Sequence, residues 1–444
     1  MTMLHDRLAD LADEAPASLP TPGLWDRGRR YRRRRRTGTL AVLGAAVLVL
    51  ALLGGVTWHR GAPPVQPATG SVGLPDRVWT PSPWLPTTAR PGRLVAVTGA
   101  KQGSWTGMSP GVVGISAITG EYAFLELPDL NPSHVEEVAL SPDGGHVAYW
   151  LSGETEGTPN TLFSSESVAG VAVLDTATGT VQQHRIPTEH GIEPGLLTWV
   201  DADRVAFEAG QIVAGDDGSE MDQGSTREGP LMVWQPGQTP APVAANGASG
   251  TDVIAAGHGR LVVADWSTDD PGRFRVIDLD DRSQDRRVGL PGPDFQYGNR
   301  LPVAIDASGQ QLARVEDGRS PNRIRAGRFF HQPQVPRSGG TFAVLGWLDE
   351  DTLMVWRRAD RGPLDRTVLG RVSVRTGAFE EKVRFPRLVG PGNVQFATDL
   401  LDAPSVHAEA PPRPLDPRVV TGLAVGTVLA AGVALLLWRR RVRP

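Results

Sequence analysis

Five times between residues 135 and 356 an apolar stretch runs into a short polar turn and out into a second apolar stretch. The fullest copy reads VEEVALSPDGGHVAYW from Val135, where Ser141-Pro142-Asp143-Gly144 supplies turn residues and both flanks alternate as strands do. Shorter copies read LLTWVDADRVAFEAG from Leu196, DVIAAGHGRLVVADW from Asp252, LPVAIDASGQQLARVED from Leu301 and FAVLGWLDEDTLMVW from Phe342. Their turn positions, Asp143, Asp201, His258, Asp306 and Asp349, lie 43 to 58 residues apart, a spacing that suits four-stranded propeller blades.

A second hairpin alternates with the first, as ISAITGEYAFLELP from Ile115, VAVLDTATGTVQQHRIP from Val171, FRVIDLDDRSQDRRVGLP from Phe274 and GRVSVRTGAFEEKVRFP from Gly370. Thr119-Gly120, Thr178-Gly179 and Thr376-Gly377 put glycine where a hairpin needs positive φ. One inner and one outer hairpin make a four-stranded sheet with two faces to bury, so the sheets must stack, and a closed ring leaves the fewest free edges. The expected fold class is therefore all-β, a propeller of six blades beginning near residues 72, 132, 188, 247, 293 and 339. The first blade lacks the Ser-Pro-Asp-Gly turn, and the fifth matches the repeat least. Residues 389–406, with NVQFATDLL, either supply a strand that closes the ring or combine with 72–90 into a seventh blade.

Composition agrees, since 52 Gly, 38 Pro and 12 Trp favour many turns between short strands. The absence of cysteine excludes disulfides, thiolate metal sites and a cysteine nucleophile.

Outside the repeats, residues 39–58 read TLAVLGAAVLVLALLGGVTW and residues 419–438 read VVTGLAVGTVLAAGVALLLW. Each is an uncharged run of about 20 residues, enough at about 1.5 Å per residue to cross a bilayer. RRYRRRRR precedes the first and Arg439, Arg440, Arg441 and Arg443 follow the second, so the positive-inside bias holds both termini in the cytoplasm. A cleaved export signal is the alternative for the first run, but its apolar core is usually about 7–15 residues and ends at a small-x-small site. Trp58 and Trp438 fall at the expected water boundaries. Gly422 and Gly426 form a weak GxxxG pair.

The chain therefore divides into a cytoplasmic segment (1–37), a span (38–58), a linker (59–71), an extracytoplasmic propeller (72–406), a Pro-rich linker (407–418), a span (419–438) and a basic tail (439–444). Both ends carry about five net positive charges, which leaves the middle near −14. So acidic a centre disfavours nucleic acid as a partner.

The stretch ALSPDGGHVAYW resembles the repeat of TolB-like and WD-repeat-like propellers, in which Asp-Gly closes the inner hairpin and small residues follow on the buried strand. The resemblance extends over most of residues 92–388 but is specific only at Leu140 to Trp150, and it implies a fold without transferring a ligand site. The whole arrangement resembles actinobacterial two-span membrane proteins with an arginine-rich segment, an anchor and an extracytoplasmic propeller. That resemblance implies a location rather than an activity.

No Gly-x-Ser-x-Gly, Ser-x-x-Lys or zincin motif occurs, so an enzyme is not expected and no catalytic residue, cofactor or metal site is assigned. Asp216, Asp217, Glu220 and Asp222 gather oxygen ligands in GDDGSEMDQG, but without EF-hand spacing they read as a solvated loop. His134, His146, His184, His190 and His258 read as surface residues near strand ends. Trp150, Trp199, Trp234, Trp266, Trp347 and Trp356 read as packing between blades, while Trp79, Trp84 and Trp105 are candidates to line a channel mouth.

Leu4, Leu8, Leu11 and Ala12 share one helical face, and with the anchor this layout resembles the cytoplasmic segments of membrane-bound anti-sigma factors. A solvated segment is the alternative. The expected function is a binding or scaffolding module for a protein or envelope component, with a possible cytoplasmic partner at the N-terminal helix. A lyase or hydrolase with its site in the central channel is the alternative from another class.

Overall fold

The computed structural model describes residues 71–160, 166–213, 226–227, 229–243, 251–281 apart from 266–272, 283, 285–289, 303–316, 322–329, 331–359, 367–385 and 394–442. The predicted N-terminal helix, the arginine block, the first apolar run, Trp266 and the Asp216–Asp222 loop lie outside these residues. Two compact units are present, residues 62–414 and, separately, 1–61 with 415–444.

Within the larger unit the sheets follow one another along the chain as six blades. Blade 2 pairs Ala139–Leu140, His146–Ser152, Val168–Asp175 and Val181–Arg185 in succession, each antiparallel to the last. Blade 3 (Ile192–Trp199, Val205–Ile212, Leu231–Trp234, Ala241–Pro242), blade 4 (Thr251–Gly257, Arg260–Asp265, Arg273–Asp278, Arg286–Gly289) and blade 6 (Thr341–Asp349, Thr352–Arg358, Thr367–Ser373, Phe379–Arg384) repeat that order. Among the described residues blade 5 has three strands, Val303–Ile305, Gln311–Glu316 and Arg323–Arg328, and the isolated bridges Arg325 to Gln334 and Arg328 to His331 stand for a fourth. Its weak match to the repeat thus reflects a blade that is short at its outer edge.

Alternation along each strand builds the core as slabs between blades. In blade 2, Val171 and Val173 pack against Trp199, Phe207 and Trp234 of blade 3, while Ala172 and Leu174 turn to the cluster shared with blade 1. Leu261 and Val263 of blade 4 likewise face blade 3, and Val262 between them faces blade 5. Each fully buried Val, Leu or Phe in such a slab contributes about 1.5–3 kcal/mol relative to exposure.

The last seam explains the anomalous first blade. Its strands Leu94–Gly103, Met108–Ser116 and Tyr122–Leu125 receive their inner partner from the far end of the chain, Val394–Phe396, which pairs antiparallel with Ala96 to Thr98. Trp356 of blade 6 stacks on Phe385 with ring centres 4.2 Å apart and meets Phe396 edge-on at 6.2 Å, so the closing strand is packed as well as paired. Val394–Phe396 therefore closes the ring, and the described residues form no seventh blade. Residues 72–90 instead form a strap outside the 6–1 seam, with Arg77 bridging Arg384 of blade 6 and Thr87–Thr88 added to the outer strand of blade 1. Prolines at 75, 81, 83 and 86 suit an edge position, where no N–H is owed to a ladder.

Strap and C-terminal segment meet in a clasp, Leu74–Pro75 running parallel to Ser405–Val406. Asp76 accepts the Ala408 N–H at 2.9 Å and faces the His407 ring at 3.1 Å. Partial burial pushes the Asp76 carboxyl up, but these two partners outweigh it and hold the group below its ordinary value. Trp79 donates its indole N–H to Ala408 O at 3.1 Å and its backbone N–H to the Tyr122 hydroxyl at 2.9 Å. Burial raises that hydroxyl to about 12.

In the smaller unit, Pro417–Val442 forms one α-helix, α1. Its segment Pro417–Leu437 is 21 residues long with a mean hydropathy of 2.3, and 6% of it is buried within the protein, so it is long and apolar enough to cross a membrane. It begins two residues before the apolar run read from the sequence.

Gly120, Gly179 and Gly377 all adopt positive φ, as the outer hairpins require. Gly377 is doubly constrained, with φ +67° and the Pro336 carbonyl oxygen 1.8 Å from where a Cβ would stand. Gly377→Ala should destabilise the propeller by about 2 kcal/mol or more. Gly107→Ala, with open space around it, should cost far less, and urea unfolding followed by tryptophan fluorescence compares the two.

For the clasp the expected pH dependence follows from Asp76. Its depressed folded value means a contribution present above about pH 4 and lost as pH falls through the folded value. Asp76→Asn should lower the unfolding midpoint at pH 7 and erase that acid-dependent part, which unfolding at pH 7 and pH 3 measures.

Candidate binding face

The blades run in one sense around the ring, so their inner turns, between first and second strands, gather on one face around the central opening. Four of these turns are built on a side chain that caps its own backbone. Asp201 Oδ1 accepts the Asp203 and Arg204 N–H groups at 2.9 and 2.8 Å, and Asp306 Oδ1 accepts those of Gln310 and Gln311 at 2.8 and 2.7 Å. Asp349 Oδ1 accepts the Asp351 N–H at 2.8 Å. In blade 2 the hydroxyl of Ser141 takes this place, accepting the His146 N–H at 2.9 Å. Ser141, and not Asp143 as the sequence spacing suggests, is thus the counterpart of Asp201 and Asp306. Asp143 accepts from Ser141 Oγ and from the Gly145 N–H, and lies 3.7 Å from Arg93.

Blade 4 turns differently. Gly257 pairs with Arg260, leaving His258 and Gly259 as a two-residue loop with φ values of +52° and +75°. Both residues lie in the left-handed region, as a primed turn demands. The imidazole of His258 is exposed and takes no part in closing the turn.

In blade 1 the inner strand comes from the C-terminal end, and the short 3₁₀ turn Thr398–Leu400 follows it in the position of the inner turn. The Asp399 N–H donates to Pro142 O at 2.9 Å, which sets this residue beside the blade 2 turn. Its carboxyl is raised above its ordinary value, chiefly because partial burial desolvates it and also because Asp143 is near; His258 and Arg93 act in the opposite sense. Asp399 of blade 1 and His258 of blade 4 are both exposed on this face. Among the described residues the Asp399 carboxylate accepts no hydrogen bond.

Two arginines on this face tie adjacent blades. Arg204 of blade 3 reaches Asp280 of blade 4 at 2.8 Å, and Arg260 of blade 4 binds Asp278 at 3.0 Å while donating to Ala307 O of blade 5 at 2.8 Å. Burial would raise Asp278, yet the Asp280 and Asp281 N–H groups and Arg260 hold it low. The mouth thus combines cross-linked walls with one unbonded carboxylate, an exposed imidazole and the Arg93–Asp143 pair, a set suited to a cationic or hydrogen-bonding group. Among the described residues no three His, Asp or Glu side chains are arranged to hold a metal ion.

Of the histidines read as surface residues, His258 alone is exposed; the other four are half-buried. His184 lies against Phe207 and Trp234 of blade 3 at 6.1 and 6.0 Å, and burial lowers its pKa. His146 meets the Trp199 ring at 5.6 Å, His134 sits 3.2 Å from Glu137, and His190 Nδ1 donates to Thr158 O at 2.8 Å. They pack because the repeat puts them at the seams, which composition alone does not reveal.

Trp199 and Trp347 have matching roles, donating to Ala139 O and Ala304 O on the inner strand of the preceding blade at 2.9 and 3.2 Å. Trp150, Trp234 and Trp356 are buried between blades. Trp79 packs in the clasp beneath Arg77, and Trp84 lies against Gly103 in the strap, so neither lines the mouth. Asp399 and Arg93 were not singled out by sequence reasoning. Once NVQFATDLL is aligned with the other inner strands, Asp399 falls at a turn position, and that alignment was the available signal.

Neither a protein-family model nor a curated protein matches the chain. Among solved structures, TolB from Acinetobacter baumannii is 11% identical, with 67% of each chain covered and a TM-score of 0.37. The protein lmo1340 from Listeria monocytogenes EGD-e is 9% identical over 72% of this chain and all of its own, with a TM-score of 0.36. At such scores the six-blade assignment rests on the strand pairing described above and not on these likenesses.

The raised Asp399 carboxyl implies a penalty at neutral pH that protonation relieves as pH falls from the raised folded value toward the ordinary one. Asp399→Asn should therefore unfold at higher urea than the parent at pH 7 and lose that advantage near pH 3. An unchanged midpoint at both pH values would contradict a raised Asp399 carboxyl.

Proposed function

We infer that this chain is a membrane-anchored scaffold whose propeller binds a protein or envelope component outside the cytoplasmic membrane through its inner-turn face. The observation that carries the binding part is the mouth itself. Asp399 presents an exposed carboxylate without a hydrogen bond among the described residues, held above its ordinary value chiefly by partial desolvation, and His258 is exposed on the same face. The surrounding turns are cross-linked by Arg204 and Arg260, so the site is held in shape before a partner arrives.

Support for anchoring comes from the 21-residue apolar segment of α1 and from the arginines at 439–441 and 443. The uncharged run at 39–58, with its own arginine block, supplies the second span in this reading and puts residues 59–418 on the far side. A sensor role adds that residues 1–15 hold a cytoplasmic partner in the manner of an anti-sigma factor; their deletion would then abolish capture while leaving insertion intact.

The chain acts without catalysis in this proposal. Lyase or hydrolase chemistry is the second reading, and the raised carboxyl of Asp399, on the same face as the exposed imidazole of His258, is the observation in its favour. Turnover of envelope saccharide or peptide by the purified full chain, lost in Asp399→Asn, would support it.

The binding reading is tested with a photo-crosslinking residue at position 258 or 399 of the full chain in native membranes, with position 136 on the opposite face as reference. One adduct should form from the mouth positions and be weaker from position 136. Asp143→Asn with His258→Ala should reduce the adduct formed from position 399 about tenfold, which corresponds to about 1.4 kcal/mol. Adducts of equal yield from both faces, or none from the mouth, would refute it.

A further inference from the structure

We propose that a hairpin spur on blade 1 is a lipid-contacting element, with Trp105 and Met108 at its tip entering the headgroup layer of the membrane; this rests on the membrane reading of residues 417–437. The spur arises from mismatched strand lengths. Leu94–Gly103 and Met108–Ser116 stay paired from Leu94 and Ser116 out to Gly103 and Met108. On either side the neighbouring strands stop earlier, since Val394 pairs at Thr98 and Phe124 at Val113. The five pairs from Gly99 with Val112 to Gly103 with Met108 therefore have no flanking strand among the described residues. At about 3.4 Å per residue they project roughly 15 Å beyond the sheet.

A lone two-stranded hairpin is marginal in water. This one is braced by the strap: the Gly103 N–H donates to Pro83 O at 2.7 Å, Gln102 Nε2 donates to Thr87 Oγ1 at 2.9 Å, and the Trp84 ring fills the space over Gly103. Ser104 closes the tip, its N–H donating to Gly107 O at 2.8 Å and its Oγ accepting the Gly107 N–H at 3.2 Å. Such bracing holds two apolar side chains in water, Trp105 at 53% and Met108 at 49% exposure. Burying a side chain of this size is worth about 1.5–3 kcal/mol, which the fold forgoes here.

Charge and reach favour lipid as the occupant. Residues 77–120 contain no carboxylate, although the middle of the chain is strongly acidic, and they carry Arg77, Arg90, Arg93 and Lys101. Arg93 is engaged with Asp143 on the inner-turn face, whereas Lys101 is exposed on the spur. Glu136 lies against Gly99 at the base of the spur. An indole beside a lysine, with no acid between, suits the boundary between headgroups and acyl chains. The strap that braces the spur at Pro83 also binds Ala408 through Trp79, and residues 409–416 then lead to Pro417. Those eight residues extend at most about 28 Å.

The lack of native cysteine makes the test specific. Thr106→Cys, labelled with an environment-sensitive fluorophore, is compared with labelled Thr178→Cys in the outer turn of blade 2. Each is placed in the full chain reconstituted into vesicles of phosphatidylcholine, with and without phosphatidylglycerol. The label at 106 should be blue-shifted and quenched by nitroxide-bearing lipid at least about threefold more than that at 178. Trp105→Ser with Met108→Ser should remove the difference while the chain still floats with the vesicles. Equal quenching at both positions in floating protein would overturn the spur and leave the anchor standing; failure to float would overturn both. A blue shift that grows with protein concentration in lipid-free detergent would assign the tip to a second copy and also overturn the proposal.

Discussion

Every sheet in this protein has two apolar faces, and no sheet can cover both of its own. Val171 and Ala172 are adjacent in sequence yet belong to different slabs, so each strand serves the blade before it and the blade after it. The requirement passes around the chain until it returns to blade 1. Val394–Phe396 ends it there by completing blade 1 from the inside, with Phe396 and Phe385 packed on Trp356 of blade 6. Strap and clasp follow from the same need, because the inner strand of blade 1, Val394–Phe396, has no short covalent link to the next strand of its own blade, Leu94–Gly103.

The face that gathers the inner turns shows how one position is tied to its own backbone in most blades and released from it in one. Asp201, Asp306 and Asp349 spend a carboxylate oxygen on their own backbone, and Arg204 and Arg260 are spent on the neighbouring blade. Ring closure changes the rule at blade 1, where a 3₁₀ turn replaces the hairpin and Asp399 has no turn to cap. The irregularity that completes the fold is thereby also the source of the free carboxylate at the mouth.

Much of the fold was legible because its cause is local. Turn chemistry at Ser141 to Gly144, glycine at 120, 179 and 377, and strand alternation are all written within a few residues of where they act. The matching tryptophans at 199 and 347 were visible for the same reason. What escaped was non-local. That residues 72–90 are a strap and that Asp399 sits beside the blade 2 turn depend on partners more than about 250 residues away in the chain. No window along the sequence contains both halves of such a contact. Length mismatch between strands, which makes the spur, is likewise a property of the assembled sheet.

The antiparallel pairing of Val394 with Thr98 joins residues almost 300 positions apart. During synthesis the first hairpin therefore emerges with its inner edge bare, and that edge stays unsatisfied until nearly the whole body has followed it. Blades 2 to 5 can form in turn, each templated by its predecessor, but the circle is completed only by the final few per cent of the ring's sequence. Nascent chains halted before residue 394 would consequently be open arcs rather than smaller propellers, with a sticky edge that favours capture by a chaperone or pairing with another unfinished chain.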